Sequence, residues 1–222
     1  MTPRYLADFF ASSPFPHTST KNFEAIPIME TFLTLSDSVS HLQLPGCNLL
    51  QHDRIGRAGG GVALYVRTHW RVSLLDSSDF KYDTIPEYII VKLRYKSDII
   101  LIAVVCRRPI AASSIDFFDV LAPYLPNYKH VIITGDFTTD LQSPQRADTR
   151  TLTNLVNTHA LAFVSCSPTH HLFHVGHESH TALDLFLTIY QLFYMITISI
   201  HSRYDFIELT IPFRAPLTHL KQ

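Results

Sequence analysis

Cysteine is scarce in this sequence. Cys47, Cys106 and Cys166 are the only three in 222 residues. None falls within CxxC spacing, so neither a disulfide framework nor a zinc knuckle is indicated, and an intracellular chain is expected, with nucleus and cytoplasm both open. Long apolar sequence is missing too. LFLTIYQLFYMITISI at 185–200 is free of formal charge, but it is shorter than the roughly 20 residues a membrane helix needs. The β-branched alternation of its MITISI end reads as strand, and no membrane partner is expected. The N-terminal stretch MTPRYLADFFASSPFPHTST has no continuous apolar run and is broken by Pro3, Pro14 and Pro16, which is not the pattern of a secretory leader. Charge of one sign is not in excess either, since 18 Lys and Arg stand against 19 Asp and Glu.

What is present is an ordinary globular composition, with 46% hydrophobic and 17% charged residues, long enough for one domain with a large core. The domain is expected over 24–213, between an irregular tail at 1–23 and a short tail at 214–222. Residues 51–110 carry ten Lys and Arg against six Asp and Glu, leaving eight against thirteen elsewhere. Arg54, Arg57, Arg67, Arg71, Lys92, Arg94, Lys96, Arg107 and Arg108 could therefore face nucleic-acid phosphates or form a scattered solvated surface.

Short apolar runs alternate with turn signals from residue 24 onward, so strands should dominate. They are expected at AIPIM, VALYV, EYIIVKL, DIILIAVVC, HVIITGDF, ALAFVS, ALDLFLT, FYMITISI and FIELTI. EYIIVKL and DIILIAVVC should form a hairpin joined by 94–97. Helical spacing occurs twice. One helix is expected after Ser113 or Ser114, with Ile115, Phe118, Leu121 or Ala122, and Leu125 on its apolar face, and a second over 149–159 with Leu152, Leu155 and Val156 inward. Strands mixed with a few helices imply a layered α/β architecture.

The glycines at 56, 59, 60 and 61 lack the GK[ST] ending of a phosphate loop and run into a strand, so they read as a tight turn. IITGDF is more informative, because an apolar strand ending in Gly-Asp places the Asp136 carboxylate where α/β proteins build sites. His170, His171, His174, His177 and His180 have a spacing that could align imidazoles on a helix, but Pro168 and Gly176 make the stretch read as a loop.

In chain order, METFL at 29–33, LPGCNLLQHDR at 44–54, GRAGGGVALYVR at 56–67, PEYIIVKL at 86–93, IAVVCRRP at 102–109, TGDFTTDL at 134–141, SPTHH at 167–171, ALDLFL at 182–187 and SRYDFIELTI at 202–211 resemble the blocks of a known family. It is the retroelement (non-LTR retrotransposon) endonuclease branch of the endonuclease/exonuclease/phosphatase superfamily. The resemblance implies a four-layer α/β sandwich, two mixed sheets face to face with helices outside. It also implies hydrolysis of DNA phosphodiesters assisted by Mg2+ or Mn2+, with no obligate protein partner. Glu30 matches the metal-binding Glu, Asp136 the water-activating Asp, and Asp184 the Asp that supports a His.

Other positions depart from the pattern. The family Asn after GDF is Thr138, its Tyr is Cys106, and its terminal Ser-Asp-His reads Ser202, Arg203, Tyr204. A phenol cannot replace an imidazolium opposite developing charge, and Asp184 loses the group it would support. Arg203 sets a cation where the motif has a carboxylate, which repels a metal ion while favouring a bare phosphate. No block supplying the family's first strand and its Asn is found upstream, Asn22 lying too close to Glu30, so a chain lacking that strand is expected. The reading is therefore of a degenerate endonuclease domain with impaired cleavage; the alternatives are a non-catalytic nucleic-acid-binding remnant and an active, divergent phosphodiesterase in which Thr138, His201 or Asp205 substitutes.

Overall fold

The computed structural model describes residues 23–33, 42–53, 60–79, 85–108, 113–164, 170–174, 177–189, 195–201 and 204–210. In chain order these form β1 (Ala25–Met29), β2 (Cys47–His52), β3 (Val62–Arg67), β4 (Arg71–Ser77), β5 (Glu87–Tyr95), β6 (Asp98–Cys106), helix α1 (Ser114–Leu121) and β7 (His130–Asp136). Helix α2 (Ala147–Thr158) follows, then β8 (Leu161–Phe163), β9 (His170–His174), β10 (His177–Thr181), β11 (Asp184–Ile189), β12 (Met195–His201) and β13 (Tyr204–Thr210). The expected absence of a first strand concerns residues outside those described.

Three antiparallel strands form one sheet in the order β1-β3-β2, and six form a mixed sheet in the order β4-β5-β6-β7-β11-β8. Parallel pairing is confined to β6 and β7, the two strands joined by the crossover through α1, since parallel neighbours cannot be closed by a tight turn. The other described strands form a four-stranded antiparallel sheet, β10-β9-β13-β12.

The sandwich follows from period-two patterning. On β5, Ile89, Val91 and Leu93 pack with Val62, Leu64 and Val66 of β3 and with Ile100, Ile102 and Val104 of β6, filling the space between the sheets. The alternate residues Tyr88 and Ile90, with Leu101, Ala103 and Val105, face Phe117, Phe118 and Leu121 of α1 and Leu152 and Val156 of α2. A strand buried on both faces reads as a continuous apolar run, as EYIIVKL and DIILIAVVC do. The helices lie outside, as expected. Ser113 caps α1 by accepting the Ile115 amide at 3.1 Å, a bond typical of a helix start; Ile115 itself is exposed and Phe117 takes the inward place.

Three local outcomes differ from the sequence expectation. β2 and β4 were not foreseen, because both are edge strands whose mixed burial breaks the alternation. The histidine stretch is a paired hairpin, β9 with β10, and not a loop. The β5–β6 hairpin turns at Lys96 and Ser97 alone, with Tyr95 opposite Asp98 and Lys96 at φ 53°. The apolar segment at 185–200 resolves into strands β11 and β12 on either side of residues outside those described. Among the described residues no helix is long and apolar enough to cross a membrane.

Phe117 joins the layers, with its ring 5.6 Å from those of Tyr88 and Phe118 and 6.3 Å from that of Phe137. Truncation of a fully buried aromatic costs about 3–5 kcal/mol. Phe117→Ala is expected to lose that much in urea denaturation; a loss below about 1 kcal/mol would show that α1 is not packed on the sheet.

Candidate functional site

Strand register assembles the site. Glu87 stands opposite Cys106, Cys106 opposite Asp136, and Asp136 opposite Asp184. These four residues form one row across β5, β6, β7 and β11 at the same end of the mixed sheet, with neighbouring strands about 4.8 Å apart. Glu30 reaches the row from the other sheet, just past the end of β1, and its Oε1 accepts from the Cys106 thiol at 3.4 Å. The structure thus brings together five of the expected positions, Glu30, Cys106, Asp136, Thr138 and Asp184. It adds Glu87, which the sequence reading did not single out.

Gly135 makes the row possible. Its φ is 149°, and a Cβ there would lie 1.7 Å from the Val105 carbonyl oxygen, so only glycine lets β7 approach β6 beside Asp136. After Asp136 the chain bends sharply. The Thr138 amide donates to Asp136 Oδ1 at 2.6 Å, with Thr138 itself at φ 45°, a conformation that β-branched residues adopt only under constraint. Arg107 supplies the constraint. Its backbone N–H donates to the Asp136 carbonyl at 2.8 Å, and its buried guanidinium donates to the Phe137 carbonyl, to the Thr138 carbonyl at 3.1 Å and to Thr139 Oγ1 at 3.0 Å. Asp140 then ties the loop to the entry of β11, with Oδ1 accepting from Ala182 N at 3.3 Å and Oδ2 from Ser143 Oγ at 2.8 Å.

The electrostatics are those of buried acidic groups facing one another. Burial, followed by the facing Asp184 carboxylate, pushes the Asp136 carboxyl up from 3.8 to about 7, against the lowering effect of the Thr138 amide. The Cys106 thiol is pushed well above its ordinary value by burial first and then by Glu30, Asp136 and Glu87, so it is an inert neutral group at physiological pH. His52, whose Nε2 is 2.9 Å from Ser78 Oγ, is drawn down by burial although Glu87 and Asp53 pull it up. It too was missed, because a lone His at a strand end carries no motif.

Hard carboxylate oxygens on Glu30, Asp136 and Asp184 suit a divalent cation in chemistry, and the Asp184 carboxylate facing Asp136 is charge that a cation would offset. Among the described residues, however, no three His, Cys, Asp or Glu side chains converge at ligand distance. Thr138 Oγ1 is buried without a hydrogen-bond partner. Ser202 and Arg203 lie outside the described residues. Tyr204 opens β13, its backbone opposite His201 and His170.

The basic middle of the sequence is divided, with Arg107 and Arg108 beside this row and others far from it. Arg107 is consumed by the loop, and Arg108 Nη2 lies 4.0 Å from Glu87 Oε1. Arg71 pairs in register with Arg94, and Ser73 with Lys92, toward the end of β5 away from Glu87. Arg54 and Arg57 lie outside the described residues.

A raised carboxyl has a definite consequence for stability. With an ordinary value of 3.8 and a folded value of about 7, Asp136 costs the fold nothing below about pH 4. The penalty grows as pH rises through 4 to 7 and is full above 7, on the order of 2–4 kcal/mol. Asp136→Asn is therefore expected to match the parent chain in thermal stability at pH 4 and to exceed it at pH 8. Equal stability at both would show that the carboxylate is solvated.

No sequence model of a protein family matches the chain, and no curated protein matches it in sequence. Solved structures do match. The endonuclease domain of TRAS1, a telomere-specific non-LTR retrotransposon, superposes with a TM-score of 0.66 at 12% identity, covering 95% of this chain and 93% of that one. The 3′ phosphatase NExo from Neisseria, bound to product DNA hairpin, gives 0.61 at 11% identity over 96% and 94%. An endonuclease/exonuclease/phosphatase family protein from Bacteroides thetaiotaomicron gives 0.52 at 12% identity over 92% and 82%. Two packed sheets with helices outside thus give this chain the endonuclease/exonuclease/phosphatase fold.

Proposed function

We propose that this chain is a DNA phosphodiester-hydrolase domain of the retroelement endonuclease type, in which the acidic frame is kept and cleavage is impaired. The observation that carries this reading is the row of Glu87, Cys106, Asp136 and Asp184 with Glu30 against it. Glu30 would hold a divalent ion such as Mg2+ or Mn2+, which when bound supplies charge to offset the phosphate. Asp136, with a carboxyl near neutrality, would accept a proton from an attacking water, a task suited to that range.

The impairment follows from the side chains beside it. The Cys106 thiol, a weak donor, already donates to Glu30, so it does not bind a phosphate oxygen as a phenol would. Thr138 offers one short hydroxyl, buried and without a partner, where a carboxamide would extend a donor. Neither Arg203 nor Tyr204 titrates near neutral pH, so these two positions supply no imidazolium. In a supercoiled-plasmid assay with Mg2+ or Mn2+, the chain is expected to nick no faster than its Asp136→Ala variant. The fourfold replacement Cys106→Tyr, Thr138→Asn, Arg203→Asp and Tyr204→His is the least change expected to restore activity. Nicking by the parent chain that Asp136→Ala abolishes would establish the active, divergent enzyme instead.

A second reading, binding without cleavage, is favoured by one observation. Arg71 stands directly opposite Arg94, with Lys92 and Lys96 on the same hairpin, and none of the four has an ion pair among the described residues. Like charges opposed across strands are destabilising unless an anion lies over them. DNA binding by the parent chain is then expected to weaken with salt, and Arg71→Ser with Arg94→Ser to lower the log–log slope by about two. A response flat in salt overturns this reading.

A further inference from the structure

The glycine cluster found a structural place, but not merely that of a turn. Gly60 and Gly61 are consecutive left-handed residues at φ 79° and 87°, and their amides donate to two different carboxylates. Gly60 N reaches Glu30 Oε2 at 3.0 Å, and Gly61 N reaches Glu87 Oε2 at 2.7 Å. Their carbonyls are held from the other side, Gly60 O by Phe32 N at 2.9 Å and Gly61 O by Thr31 N at 3.3 Å. No side chain fits between, because a Cβ on Gly61 would lie 2.3 Å from Thr31 Oγ1.

The Gly60 amide decides how Glu30 points. β1 pairs with β3 only as far as Met29, and Glu30 at φ 54° has already left the strand, so ladder pairing does not aim its side chain. With Oε2 engaged by Gly60, Oε1 is the oxygen turned to Cys106 and thus to the row. Glu87 holds the next amide, that of Gly61, from the mixed sheet, through a carboxylate only 17% exposed.

We infer that Glu87 is a positioning residue. By accepting the Gly61 amide it fixes the orientation of Gly60, and the Gly60 amide fixes which oxygen of Glu30 faces the site. The inference rests on the reading of Glu30 as the cation-holding carboxylate. Groups that orient a ligating side chain in this way typically change metal affinity about 10- to 100-fold when removed.

The test is Mn2+ titration of the full chain by calorimetry, with amide hydrogen exchange at Gly60 as a readout independent of metal. Glu87→Gln keeps a carbonyl acceptor for Gly61 and is expected to bind Mn2+ within about threefold of the parent. Glu87→Met has similar length and no acceptor, and is expected to bind about tenfold more weakly, with faster exchange at Gly60. Glu87→Leu also lacks an acceptor; it is expected to weaken Mn2+ binding and speed exchange at Gly60 in the same way, and serves if Glu87→Met does not fold. Equal weakening by Gln and Met would mean that Glu87 acts through charge, and parental affinity in Glu87→Met would mean that it does not act on Glu30; either overturns the inference. If the parent chain takes up no Mn2+, the cation reading of Glu30 fails. Gly60 exchange then decides the positioning alone, an unchanged rate in Glu87→Met overturning it.

Discussion

The parallel pairing of β6 with β7 is the constraint on which the site depends. Antiparallel hairpins set Glu87 opposite Cys106 and Asp184 opposite Asp136, but only the parallel register that puts Cys106 beside Asp136 joins the two halves into a row. That register needs the backbones to touch at Gly135 and Val105, and it needs α1 to carry the chain from one strand to the next. Packing of Phe117 and Phe118 against the sheet therefore does more than fill the core. It closes the crossover that lines up the carboxylates.

Much of this was legible in the sequence, and the reasons are physical. Long apolar strands ending in polar residues announced β5, β6 and β7, and Gly-Asp marked where β7 stops. Glu30, Cys106, Asp136, Thr138 and Asp184 were all reached through motif order. Glu87 was not, although it lies in a noticed block, because its place depends on where a hairpin turns. A connection of four residues at 94–97 would set residue 93 against 98 and hence Glu87 against Val104. The turn at Lys96 and Ser97 moves it two residues along, opposite Cys106. Edge strands β2 and β4 escaped for a different reason: with one side open, they need not alternate.

Charge density along the chain was a poor guide to charge in space. The basic middle contains β5, which runs from one end of the sheet to the other, so its cations are dealt to opposite ends. Arg107 and Arg108 join the carboxylates, where Arg107 serves the loop, while Arg71, Lys92 and Arg94 lie toward the other end. The carboxylates gather instead, and burial, followed by the facing Asp184, displaces the Asp136 carboxyl to about 7.

The loop after β7 holds its shape without help from the residue at its bend. Three guanidinium contacts from Arg107 and the Thr138 amide on Asp136 keep the backbone left-handed at 138, whatever side chain is there. Shape and chemistry are thus written in separate places, one in an arginine from a neighbouring strand and the other in the side chain at 138. A lineage can exchange the second and leave the first untouched, so that the outline of a site outlasts its chemistry.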